Sequence, residues 1–365
     1  MLLLIPGPVT TANAVKAALA QDYAPWDNDF RAVVRKLCAD IRDAAGGVPD
    51  VHVALPLSGC GHFALEAAVR TFVPLGGKLL VPGTGAYADR LLRLAREAGR
   101  AVATLEVGDR DRAQPAQLVE ALRRDPDITH VGLVYSETGS GICHDAPALA
   151  QAAHELGRRV IIDAVSAFGA LPLDLSALPA VDAVILTSNK CLEGPPGASF
   201  TVCRIDRLEA ARGRAGSWSL DLADVHEHDK TTHGGARFTP PAPTLAALSV
   251  AMDLHRAEGR TARLARYTAN KQTLYDGIRA LGLTPYLPAA LQGPIIVNVE
   301  PPAHPGWNLQ AFVDALKRRG FIISNFYNTR QPTFRVGCIG AITPGDMSRA
   351  VDAMDDALRE LAIAA

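Results

Sequence analysis

Between residues 51 and 187 the chain alternates short apolar runs with stretches of helical periodicity. Val51–Leu57, Lys78–Val81, Ala101–Leu105, His130–Tyr135, Val160–Asp163 and Ala183–Leu186 are rich in β-branched and aliphatic residues and predict strands. Phe63–Phe72, Tyr87–Ala98, Pro115–Arg124 and Leu149–Leu156 lie between them and carry helical patterns. Strands alternating with helices in this way predict an α/β fold, a mostly parallel sheet sandwiched by helices.

The flanks read differently. Pro6-Gly-Pro8 makes a turn, Asn13–Ala20 a short helix, and Tyr23–Phe30 is too irregular for regular structure, so the first thirty or so residues form an N-terminal arm before a helix at Arg31–Ala45. Arg204–His233 is polar and gives no clear element. Past Pro240-Pro-Ala-Pro243 the chain is helical through Met252 and again over Thr261–Leu281. Strands Ile295–Val299, Phe321–Asn325 and Phe334–Gly337 then mix with helices Leu309–Arg319 and Pro344–Leu361. The expected division is a large unit, residues 1–250 with the arm, and a small C-terminal α+β unit, residues 251–365.

Composition narrows the function. The 365 residues are 48% hydrophobic with a formal net charge of −1, ample for a large core. Basic residues are interspersed with acids, which excludes the clustered charge that draws nucleic acid or a membrane surface and leaves small molecules as partners. The opening Met1–Ile5 run is cut short by Pro6, too early for a signal core. Six scattered cysteines include no CxxC pair, so reduced thiols in a cytoplasmic protein are expected.

Candidate chemistry collects where strands end. Val184-Ile-Leu186 leads to Lys190 and then to Glu193-Gly-Pro-Pro-Gly197, which can continue neither strand nor helix. Ligands bind open α/β sheets at the carboxyl ends of their strands, and an amine desolvated there is suited to Schiff-base chemistry. Asp163 ends another apolar strand, Glu137-Thr-Gly-Ser-Gly141 follows a third, and Gly59-Cys-Gly61 opens a helix, where backbone N–H groups can be aimed at a phosphate. An imine-forming lysine, a carboxylate for a pyridine nitrogen and a phosphate cradle are together what pyridoxal 5'-phosphate needs.

The order and spacing of several motifs add a resemblance that runs nearly end to end. They are Pro6-Gly-Pro8, Trp26-Asp27, Gly59-x-Gly61, Gly85-Ala-Tyr87, Ser136-Glu-Thr138, Asp163-Ala-Val-Ser-Ala-Phe-Gly169, Ser188-Asn-Lys-Cys191, Arg237-Phe-Thr239 and Phe334-Arg-Val-Gly337. The chain resembles the class V aminotransferases of fold type I, most of all the branch acting on 2-aminoethylphosphonate and pyruvate. That resemblance implies a pyridoxal-phosphate transaminase in phosphonate breakdown, giving phosphonoacetaldehyde and L-alanine. Lys190 would hold the cofactor and shuttle the proton. Asp163 would pair with the ring nitrogen, Tyr87 would stack on the ring, and Thr138 would reach the ring-hydroxyl side. Gly59, Cys60, Gly61, His62 and Ser188 would surround the phosphate. Arg335 would hold the substrate anion, with Pro8, Trp26 and Arg330 lining the substrate side. Thr239 would come from the neighbouring subunit, so a homodimer with shared sites is implied.

Some positions depart from the family pattern. Cys60 and His62 replace hydroxyl residues, Gly139-Ser140 replaces Thr-Thr, Ala236 replaces an aromatic, and Ser324–Arg330 replaces a Pro-Gly-Lys loop. These bear on the amino donor, and an alanine– or serine–glyoxylate transaminase is the nearest rival. Three other patterns compete. Gly59-x-Gly61-x-x-Ala64 fits a dinucleotide fingerprint, although no acid follows the next strand to bind a ribose. Cys60 with His52 or His62 imitates a thiol hydrolase. His226, His228 and His233, read as a polar loop, imitate a metal site. A non-enzymatic binder of the cofactor or an anion is a further class, against which Lys190 and Asp163 both argue.

Overall fold

The computed structural model describes residues 1–363. Its main sheet has seven strands, in the spatial order His52–Ser58, Ala198–Arg204, Val181–Thr187, Arg159–Asp163, Ile128–Val134, Lys78–Gly83 and Ala101–Glu106. Ala198–Arg204 runs antiparallel to both neighbours, and the other registers are parallel. Six strands therefore open their carboxyl ends on one edge. Helices cover both faces, and Val181–Thr187 is buried along its whole length, as a run of aliphatic residues requires.

The reversed strand Ala198–Arg204 is the element the sequence pattern did not announce. Ser199 and Thr201 interrupt its apolar positions and a Gly-Pro run precedes it, yet all but its last residue are buried between two partners. It leaves His52–Ser58 as an edge strand with no parallel neighbour. A dinucleotide fingerprint belongs in a parallel βαβ unit, so Gly59-x-Gly61 is not one here.

The stretch 204–233 holds helices Ile205–Ala210 and Leu222–Thr232. His226 and His228 thus lie on a helix, not in the expected loop. Glu227 is paired with Arg212 and Lys230, and no group of three metal-capable side chains exists among the described residues.

A second core forms around the antiparallel pair Ile296–Val299 and Phe334–Gly337 with helices Leu309–Arg318 and Pro344–Glu360. The N-terminus joins it, since Leu2–Leu3 pairs with Phe321–Ile322 and Leu4 is fully buried there. Helix Ala242–Glu258 packs into the main core as far as Met252, while Arg260–Ala280 gives Leu274 and Ile278 to the second.

Candidate active site

Lys190 stands just past the end of Val181–Thr187, at the edge where the six parallel carboxyl ends open. Its loop is closed from within: Ser188 donates its hydroxyl to the Pro195 carbonyl, Gly194 N–H donates to Ser188 O at 2.9 Å, and Glu193 N–H to Lys190 O at 2.9 Å. Burial pushes the Lys190 amine down to about 8, the positive charges of Arg335 and Arg90 push the same way, and Cys191 and Asp163 oppose them. A larger neutral fraction near neutral pH is what nucleophilic attack on a carbonyl requires.

Asp163 is the last residue of the adjacent strand and is buried. Burial raises its carboxyl, while the Val165 N–H bonded to Oδ1 at 3.0 Å and the charges of Arg90 and Lys190 lower it. The turn that follows meets the start of helix Gly61–Phe72, where a β-carbon on Gly61 would lie 2.5 Å from Val165 Cγ2. Only glycine lets that helix N-terminus come so close to the Asp163 turn. Cys60, exposed at the N-cap, makes no side-chain capping bond. His62, half-buried in the first turn, is held below its ordinary pKa by burial and then by Arg90, with Glu66 opposing.

Thr138 and Ser166 share a hydroxyl hydrogen bond of 2.6 Å, tying the turn after Ile128–Val134 to the one after Asp163. Tyr87, at the start of helix Ala86–Glu97, carries the Arg90 guanidinium 4.6 Å from its ring centroid. Arg335 lies on Phe334–Gly337 opposite Asn298 and is 1% exposed. Nη1 makes a 3.4 Å bond to Thr138 O, and Nε has no partner. A buried guanidinium so weakly satisfied calls for an anion. Thr84 and Ser140, in turns at the same edge, likewise bury hydroxyls without partners.

Lys190, Asp163, Tyr87 and Arg335 are thus linked through their mutual electrostatic influence, and Thr138 joins them by its bond to Arg335. The other expected residues are placed differently. Ser188 is bound into its own loop. Pro8, Arg330 and, within the arm, Trp26 are exposed in the single chain; Pro8 follows Gly7, which packs on Lys190, and Arg330 ends the loop whose Phe326 packs on Arg335. Thr239 lines a cavity of about 480 Å³ with Leu57, Phe63 and Phe238 whose lining does not include Lys190.

Glu137, Ser166 and Arg90 were not anticipated as site residues. Glu137 is fully buried and accepts the N–H groups of Tyr87 at 3.2 Å and Gly139 at 3.0 Å, so it fixes two turns of the site at once. Burial pushes its carboxyl up to about 7, against the pull of those N–H donors. Its position inside Ser136-Glu-Thr138 was the available signal. The residues fit pyridoxal phosphate: a buried amine, a buried carboxylate without an ion-pair partner among the described residues, a glycine-tight helix N-terminus and unpartnered hydroxyls.

Comparison with known proteins identifies the family. The profile of the family described as aminotransferase class-V matches residues 45–330. The 2-aminoethylphosphonate–pyruvate transaminase of Burkholderia ambifaria (strain MC40-6) is 44% identical over 364 residues, covering 100% of this chain and 97% of that protein. The protein of the same name from Pseudomonas fluorescens (strain Pf0-1) is 42% identical, covering 99% and 98%. Among solved structures, the subgroup IV aspartate aminotransferase of Thermus thermophilus superposes with a TM-score of 0.85 at 27% identity, covering 99% of this chain and 100% of that one. Pyridoxamine–pyruvate aminotransferase of Mesorhizobium loti shares the fold, with a TM-score of 0.89 at 23% identity over 99% of this chain and 93% of that one. A family match over most of the length, full-length relatives and a shared architecture all lead to one assignment: this chain belongs to the class-V aminotransferases.

Proposed function

We propose that this protein moves the amino group of 2-aminoethylphosphonate to pyruvate, giving phosphonoacetaldehyde and L-alanine, with pyridoxal 5'-phosphate bound at Lys190. The observation that carries the reading is Arg335, a buried guanidinium with an unpartnered Nε, close enough to the Lys190 amine to depress its pKa. Both amine and acceptor bring an anion, and a guanidinium fork suits a phosphonate and a carboxylate alike. The names of the full-length relatives support this pairing of substrates.

When bound, pyridoxal phosphate supplies the carbonyl carbon that takes the amine and a ring that withdraws electrons. Lys190 would hold it through its amine and, once released, would take the proton from the substrate carbon and return it to the cofactor carbon. Asp163 would hold the ring nitrogen protonated, and Tyr87 would lie against the ring. The Gly59–His62 turn and the helix N-terminus at Gly61 take the phosphate. Arg335 holds each substrate in turn by its anion. The homodimer implied by the family resemblance would cover the groove that contains Thr239 and the exposed Phe63, Trp218 and Phe238, and complete the site from the neighbouring subunit.

An absorbance scan of the purified protein tests the reading, with 2-aminoethylphosphonate, L-alanine and L-serine added in turn and Lys190→Ala as control. Loss of the cofactor band with the phosphonate and its return with pyruvate is the expected result. Bleaching by the amino acids alone would replace this reading with a glyoxylate-type transaminase, in which Arg335 serves an ordinary carboxylate.

A further inference from the structure

The ring of Phe326 lies 4.4 Å from the guanidinium carbon of Arg335. The two differ sharply in exposure, 54% for Phe326 and 1% for Arg335, so the aromatic forms the outer wall over a buried cation. We infer that Phe326 is a specificity-determining residue: its ring packs over the Arg335 guanidinium carbon and restricts the approach to that cation to a compact anion. The inference rests on Arg335 being the anion site.

The loop that carries Phe326 is seated rather than loose. Arg330 N–H donates to Asp109 Oδ2 at 3.1 Å, and the same oxygen accepts Tyr286 OH at 2.8 Å. Thr329 donates to Gln331 O at 2.7 Å, and Asn325 Nδ2 to Gln310 at 3.3 Å. Gly139 admits the loop from the other side. A β-carbon there would stand 3.1 Å from Asn328 O and 2.9 Å from Glu137 Oε1, and neither neighbour is free to move, one being backbone and the other a buried acceptor of Gly139 N–H. Gly139 follows Thr138, whose carbonyl takes the Arg335 bond, so the bare position at 139 and the loop at 324–330 act on the same guanidinium.

The chemistry follows from the shape of the cation. A carboxylate or phosphonate binds a guanidinium through its in-plane N–H donors, so a ring packed against the cation limits the room beside the bound anion. The ring adds cation–π attraction and keeps water off the ion pair, which strengthens its electrostatics. Bulk beside the anionic group would collide with the ring.

The test is direct binding of methylphosphonate and phenylphosphonate to the cofactor-loaded protein, read by ³¹P line broadening. Neither ligand carries an amine, so the result is independent of which donor the absorbance scan finds. Phe326→Ala is expected to weaken methylphosphonate binding about threefold to tenfold, in keeping with the loss of a cation–π contact, and to raise the affinity for phenylphosphonate relative to methylphosphonate. Phe326→Leu, which keeps an apolar cover without a π face, should fall between wild type and alanine. Gly139→Ala keeps Phe326 but displaces its loop, and should shift both ligands in the same direction as Phe326→Ala. Unchanged methylphosphonate affinity in Phe326→Ala, a parallel loss of both ligands, or no binding to the wild-type protein would overturn the inference.

Discussion

Gly7 lies against the Lys190 side chain so closely that a β-carbon on it would stand 2.6 Å from Cδ and 2.8 Å from Cε. The N-terminal segment therefore packs directly on the side chain that carries the amine. Gly7 also has a φ of +138°, a region that side chains rarely adopt. Gly7→Ala is expected to cost about 1–3 kcal/mol of stability through backbone strain and to lower turnover by at least about tenfold, since a displacement near 1 Å at the reacting atom can cost more. Denaturant unfolding and steady-state rates check the two effects separately.

The Lys190 amine gives a pH signature. Its folded value of about 8 lies below the ordinary 10.5. Between those values the unfolded chain binds more protons than the folded one, so this group makes the cofactor-free protein more stable as pH rises from about 8 to 10.5. Below that window the charged buried amine imposes its full penalty. Reductive trapping of a simple aldehyde on Lys190 should follow a midpoint near 8, with Lys190→Met unlabelled. A midpoint at the ordinary lysine value would show that burial does not tune the amine.

Glu137 has the opposite linkage. Its folded value near 7 lies above the ordinary 4.5, so the folded state holds the extra proton between them. The stability this confers is present below 4.5 and lost as pH rises through 7. Glu137→Gln keeps an acceptor for Tyr87 and Gly139 N–H without a charge. Its stability relative to wild type should improve from pH 5 to pH 8 by on the order of 2–3 kcal/mol, the worth of a shift of this size. Melting curves at those two pH values would reveal it, and a flat difference would remove the argument.

The proposed homodimer has its own test at the groove. Phe238 is 45% exposed and packs edge-on to Trp218 at 5.2 Å. Phe238→Asp should shift light-scattering mass toward the single chain and lower activity with it. An unchanged mass and rate would remove this face from the subunit contact.

Most of the sheet was legible because strands buried on both faces cannot hide their composition. Val160-Ile-Ile-Asp163 and Val184-Ile-Leu186 announce themselves, and Phe334 and Val336 place Arg335 on a buried strand. Ala198–Arg204 did not, because Ser199 and Thr201 look like loop residues until two neighbouring strands bury them. The helix carrying His226 was obscured by its charged residues, whose partners Arg212 and Glu209 lie outside it in sequence. Lys190 and Asp163 could be found from strand ends alone. Glu137 stands in a strand-end turn as well, but its role was not legible there, since its work is done on the backbone of Tyr87, fifty residues away in sequence.

The loop of Lys190 is also held from behind by charge. Glu193, buried and with φ of +58°, accepts Tyr267 OH at 2.6 Å and Arg266 Nη2 at 2.9 Å. Arg263, 2% exposed, donates to the Cys191 carbonyl at 2.8 Å and to Glu258 at 2.7 Å. Arg266 also donates to Gly340 O at 2.7 Å, just beyond the strand that carries Arg335. One network thus fastens the segment after Lys190 to the segment after Arg335. Removing a single member leaves a buried charge uncompensated, so Glu193→Ala should cost about 3–5 kcal/mol. Glu193→Gln, which can still accept from Tyr267, should cost less. If the network sets the relation between amine and anion site, Glu193→Gln will also move the Lys190 trapping midpoint and lower kcat more than it raises KM. If it serves stability alone, unfolding will change while the midpoint and both kinetic constants stay where they are in the wild type.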